Sequence, residues 1–119
     1  MATPEVALYW NCTRPEPRVL HFDGIAKNIG REVRFLGVRV TSVDANDLVL
    51  EATALPAIIL HTDEFSPVHL QLPIRGTEAR FDLFYEYPPT PVDRPDPLAA
   101  TMERFTAQNV CAATQYPAR

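Results

Sequence analysis

The chain is poor in lysine, in glycine, in histidine and in long apolar runs, and each shortage removes a class of protein. Lys27 is its single lysine; Lys and Arg together number 11 against 15 Asp and Glu, for a net charge of -4. A nucleic-acid binder needs a basic footprint, so that class of partner is set aside. The four glycines form no phosphate-cradling loop. No apolar run reaches the roughly 18 residues that span a bilayer. Met1-Ala2-Thr3-Pro4-Glu5 lacks the basic start and apolar stretch of a secretory leader. Two readings follow: the chain is cytoplasmic, or a leader has been replaced by Met1.

Chemistry is equally sparse. The three histidines are His21, His61 and His69. His61-Thr62-Asp63 with His69 beside it is the arrangement nearest to a metal edge, but zinc needs three or four ligands in defined geometry and no compact motif supplies them. Surface histidines on strands are the preferred reading. No Gly-x-Ser-x-Gly elbow is present, and neither Cys12 nor Cys111 sits in a nucleophile motif. Asp44-Ala45-Asn46-Asp47 begins like a calcium loop, but Leu48 and Val49 occupy its next positions and no Glu closes it. The expectation is a non-enzyme with no cofactor and no metal.

What the chain has is alternation. Val6, Leu8 and Trp10 alternate with Glu5, Ala7 and Tyr9, as in a half-buried strand. Arg14-Pro15-Glu16-Pro17 reads as a stiff extended connector. Residues 21–44, HFDGIAKNIGREVRFLGVRVTSVD, read as two paired strands joined by a tight turn at Asn28-Ile29-Gly30-Arg31. Leu20, Phe22, Gly24, Ala26 and Asn28 share the first strand's inner face, with Asp23 and Lys27 outward. On the second strand Val33 and Phe35 are out of phase with Val38 and Val40. One inserted residue near Leu36-Gly37, a β-bulge, restores the phase. Asp44–Asp47 is a second turn, followed by alternating Leu48, Leu50, Ala52 and Ala54.

Phe22-Asp23-Gly24-Ile25-Ala26-Lys27-Asn28, then Val38-Arg39-Val40, then Asp44, then Leu48-Val49-Leu50 resemble the FxLyD and LEA14-like group of small Ig-like β-sandwich domains. The resemblance spans roughly residues 19–87. It departs where Val43 replaces the aromatic before Asp44 and where Asn46-Asp47 replace the following glycine. It implies a non-catalytic module of the kind found in cell-envelope proteins.

Farther on, Ala57–Leu60 reads as a crossover strand between sheets, and Val68, Leu70 and Leu72 as another strand. Phe81, Leu83, Tyr85 and Tyr87 form the strand with the highest β propensity. Turns recur every eight to twelve residues or so, which marks a sandwich. The fold class expected is all-β: a two-sheet antiparallel Ig-like sandwich of about seven strands, with one short C-terminal helix. A small closed barrel is the alternative.

The sandwich is assigned to residues 1–88. Residues 89–119 are assigned to a Pro-rich connector and a short helical tail packed on the same domain. Asp96-Pro97 opens that helix, which is placed within 97–110, with Leu98, Met102 and Phe105 as its apolar stripe. A disulfide between Cys12 and Cys111 would close a loop of about 100 residues, adding up to about 4.7 kcal/mol in the chain-entropy model; the alternative is two unrelated thiols. If the bond forms, the protein is exported, so an extracytoplasmic site is favoured. Tyr85 and Tyr87 are read as core residues in preference to an aromatic platform. Phe84 points away from the core and is covered by the C-terminal helix or exposed as a contact. The expected role is a binding or assembly module whose protein partner, a second copy included, uses a sheet edge or an exposed face. The alternative is a domain that binds a small ligand or carbohydrate through surface aromatics.

Overall fold

The computed structural model describes residues 2–88 and 103–111. They form eight strands: β1 (Val6–Glu16), β2 (Val19–Asn28), β3 (Val33–Asp44), β4 (Val49–Ala54), β5 (Ile58–Leu60), β6 (Phe65–Pro73), β7 (Glu78–Tyr87) and β8 (Glu103–Ala107). One antiparallel sheet has the order β1-β2-β6. The other has the order β4-β3-β7-β8, with β5 also paired to β3. A single apolar cluster fills the space they share: Leu8, Leu20, Phe22, Leu70 and Leu72 from the first sheet, and Leu36, Val40, Leu60, Leu83 and Tyr85 from the second. Period-two alternation places these residues inward, and their removal from water is the main stabilising term.

The pairing of β2 and β3 expected over residues 21–44 does not occur. β2 lies between β1 and β6, and β3 lies between β4 and β7. The connection between β2 and β3 is therefore a crossing from sheet to sheet. Buried Asn28 holds it: its Nδ2 donates to Arg31 O at 2.6 Å and Leu60 O at 2.9 Å, and its Oδ1 accepts from Gly30 N at 2.8 Å. Alternation defines which face of a strand is wet and is silent about which strand lies beside it.

The expected bulge is present, but slightly earlier than Leu36-Gly37. The register of β3 against β5 shifts between Val33 and Leu36, where Phe35 has φ 61°. Leu36 turns inward with Val33, Val38 and Val40, and Phe35, expected inward, is 59% exposed.

Three further expectations change. Residues 14–16 belong to β1, which pairs with β2 as far as Glu16↔Val19. Prolines are admitted there because β1 is an edge strand. β5 does not itself cross: it runs along β3 beside β4, and the chain crosses in the His61–Glu64 turn that follows. The third change is the C-terminal helix. Among the described residues there is none, and 103–107 is β8, registered on β7 from Tyr87↔Glu103 to Leu83↔Ala107. β7 would otherwise present a row of unpaired amides and carbonyls, and satisfying them outweighs a helical spacing of three apolar residues. Leu98, Met102 and the Asp96-Pro97 helix start lie outside the described residues.

Candidate interaction surface

The outer face of the three-stranded sheet is built from residues directly opposite one another. One row is Tyr9–Ile25–Pro67. The row on one side is Ala7–Lys27–Phe65 and on the other Asn11–Asp23–His69; beyond that lies Thr13–His21–Gln71. Leu8, Phe22, Ala26, Val68 and Leu70 of the same strands point into the core, so these rows point out, although Ala7, bridged to Ala2, is itself buried. Three of their members are large and apolar and remain open to solvent: Tyr9 at 61%, Ile25 at 46% and Phe65 at 64%. Pro67 is exposed beside them. A contiguous apolar strip on an otherwise polar sheet marks a contact surface better than scattered exposed leucines do.

Charged groups frame the strip. Lys27 lies on one side of Ile25 and Asp23 on the other, each two residues away along β2. Asp23 Oδ1 pairs with His69 Nδ1, and the ring of His21 stands edge-on to that of His69 with centroids 5.9 Å apart. His61 is engaged elsewhere, its Nδ1 2.6 Å from Glu32 Oε2. The structure thus groups His69 with Asp23 and His21. Among the described residues, no group of three His, Cys, Asp or Glu side chains is placed to hold a metal ion.

On the inner face of β1 the chain is clasped. Cys12 and Cys111 form a disulfide with Cα atoms 5.5 Å apart, joining β1 of one sheet to the segment that follows β8 of the other. Trp10 Nε1 donates to Val110 O at 3.0 Å, and Val110 N donates to Phe81 O at 2.8 Å. The carboxylate of Asp82 accepts from Asn109 N at 3.0 Å and from Arg80 Nε at 3.1 Å. Asp47, the nearer partner, and then Asp82 raise the pKa of Arg80. Gly24 lets β1 lie close against β2 beside Trp10: a Cβ there would collide with Tyr9 O. Asp82 alternates outward in the sequence, yet it is only 4% exposed because the 109–110 turn folds over it.

Phe84 is half-buried. The Arg39 guanidinium lies 4.9 Å from its ring centroid, and Thr106 of β8 is its neighbour across the ladder. What covers it is a strand neighbour and a cation, with no helix involved. Tyr85 and Tyr87 are buried at 1% and 0% exposure, and both rings pack on Phe105, with centroids 5.2 and 5.3 Å away. The Tyr87 hydroxyl is 2.9 Å from Thr3 Oγ1. Burial pushes the Tyr85 phenol above its ordinary range. Among the described residues the Tyr85 hydroxyl and Thr41 Oγ1 have no hydrogen-bond partner. These two groups sit on opposite faces of their sheet and define no common site.

Sequence reasoning passed over Tyr9, Ile25 and Phe65. Tyr9 and Ile25 already stood in the outward phase of their strands, and that signal was legible. Their union with Phe65 required the register of three strands.

The protein is thus an all-β, two-sheet protein, closed by one disulfide, with an apolar strip on one outer face. No family model and no curated protein sequence matches the chain.

Proposed function

We propose that the protein is a non-catalytic binding or assembly module built as an Ig-like sandwich, akin to the FxLyD and LEA14-like domains, and that its contact surface is the Tyr9–Ile25–Phe65 strip. The observation that supports this reading most directly is the solvent exposure of those three side chains on one face. The strand order β1-β2-β6 against β4-β3-β7-β8, with β5 also on β3, supports the Ig-like part of the reading, since two antiparallel sheets closing over one core are its framework. The disulfide supports an extracytoplasmic setting, because such bonds persist in oxidising compartments. An envelope protein is the setting we favour.

The test is a selection from a displayed peptide library on immobilised protein, read out on wild type and on the Ile25→Arg/Phe65→Ser variant. Ligands that bind wild type at least about tenfold more tightly than the variant, a difference of about 1.4 kcal/mol, support the reading. Ligands indifferent to both substitutions remove the strip as the contact surface. A carbohydrate reading draws on the exposed rings of Tyr9 and Phe65; a glycan array that lights up and goes dark in Tyr9→Ala would favour it over a protein partner.

A further inference from the structure

We propose that the occupant of this strip is a second copy of the same chain, stacked face to face with its β2 antiparallel to the partner's β2. The proposal rests on the reading of the strip as a contact surface and adds the partner and the geometry.

The charges select both. Two identical faces can meet about a two-fold axis lying in the interface, and the contact is then self-complementary. If the axis runs along the strands, Lys27 meets its own copy and so does Asp23, and two like-charge contacts result. If the axis runs across the strands through the row Tyr9–Ile25–Pro67, strand direction reverses. Lys27 then lies over Asp23 of the partner subunit twice, once from each side. Phe65, in the row of Lys27, comes over the partner's His69, in the row of Asp23. Tyr9, Ile25 and Pro67 lie on the axis and meet their own copies, so the apolar strip covers itself. Lys27 is the chain's single lysine. It stands two positions from Ile25 on one side and Asp23 two positions on the other, the spacing this symmetry requires. Asp23 is also paired with His69, which holds its carboxylate in place.

The face is small. Seven residues on each of three strands cover about 20 by 14 Å at ordinary rise and spacing. That is about 280 Å² a side, well below the roughly 800 Å² per partner of a standard interface, so the dimer is a weak, transient one that forms only at high protein concentration.

The experiment is sedimentation equilibrium of the full chain from micromolar to millimolar concentration, with Asp23→Lys, Lys27→Asp and the double swap. Wild type is expected to pass from monomer to dimer. Each single swap places like charges opposite and weakens the dimer by about tenfold or more, and the double swap returns it to within about threefold of wild type. The two single-swap variants mixed together form a heterodimer that neither forms alone. A second measurement needs no variant: on dilution of wild type, the amide resonances of Tyr9, Ile25 and Lys27 move and those of β8 stay.

A chain that stays monomeric at millimolar concentration overturns the proposal. So does a double swap as weak as the single swaps, or a dilution series that moves β8 in place of β2. None of these outcomes touches the reading of the strip as a binding face, which fails only if the selected ligands ignore Ile25 and Phe65.

Discussion

Asn28 shows how much one side chain can decide. It is fully buried in an apolar cluster, and its amide satisfies two carbonyls and one amide of the β2–β3 crossing and of β5. Asn28→Ala strands those groups away from water. Each buried unpaired group costs about 1–3 kcal/mol, so the substitution is expected to destabilise by about 2–4 kcal/mol in a urea titration read by Trp10 fluorescence. A loss under about 1 kcal/mol would mean that water reaches the crossing. Glu78 acts on a turn in the same manner. Partial burial pushes its carboxyl up, but the backbone amides of Arg75 and Gly76, at 2.6 and 2.8 Å, and its own amide pull harder, and the net pKa lies below the usual 4.5. A depressed folded-state pKa stabilises fully above the ordinary carboxylate range and is lost as pH falls through the folded value. Because the group is solvated, Glu78→Gln is expected to cost only about 0.5 kcal/mol at neutral pH. The gap to wild type should close as pH falls below the usual 4.5. Melting points of the two proteins from neutral to acid pH check both the size and the sign.

Among the elements, β8 is the one whose identity tertiary context reversed. Phe105 and Ala107 both pack on the core, a period-two relation, whereas Leu98, Met102 and Phe105 suggested a helical stripe. Neither pattern is long enough to decide by itself. The free edge of β7 decides in favour of the strand, and the disulfide with the Trp10–Val110 bond then fastens the end of the chain to β1. Reduction, or Cys12→Ser/Cys111→Ser, is expected to lower stability by about 2–5 kcal/mol. The loss should appear first as faster hydrogen exchange at β8 and the 108–111 turn, because their remaining contacts are few and solvent-accessible. Uniform acceleration through β2, β3 and β7 with β8 unchanged would show that the bond staples the whole chain and gives β8 no particular protection. β4 teaches the converse lesson. Its alternating Leu50, Ala52 and Ala54 resemble an inward face, yet every residue of the strand is exposed or half-buried, because it lies at the edge of its sheet.

For the molecule as a whole, much was legible in the chain alone. The all-β class, the inward faces of β2, β6 and β7, the Asp44–Asp47 turn and a bulge early in β3 follow from alternation and turn chemistry. Asp44 Oδ1 accepts from Asn46 N and Leu48 N, and Asp47 takes φ 65°, as a turn of such residues should. The candidate surface was less legible. Phe84 was conspicuous among its charged neighbours, but Arg39 lies across it. Tyr9 and Ile25 become neighbours of Phe65 only through the pairing of β1, β2 and β6.

The division has a physical origin. Alternation of oily and polar side chains is a property of consecutive residues, so composition and order alone dictate that this chain is built of strands, which faces of β2, β6 and β7 avoid water, and the turn at Asp44–Asp47. Which strand sits beside which, and hence that β2 and β3 part to different sheets, that the tail completes an edge and that Tyr9, Ile25 and Phe65 meet on one face, is decided by contacts between residues tens of positions apart. Those contacts depend on closing the core and leaving no buried amide unpaired, conditions that only the assembled molecule imposes.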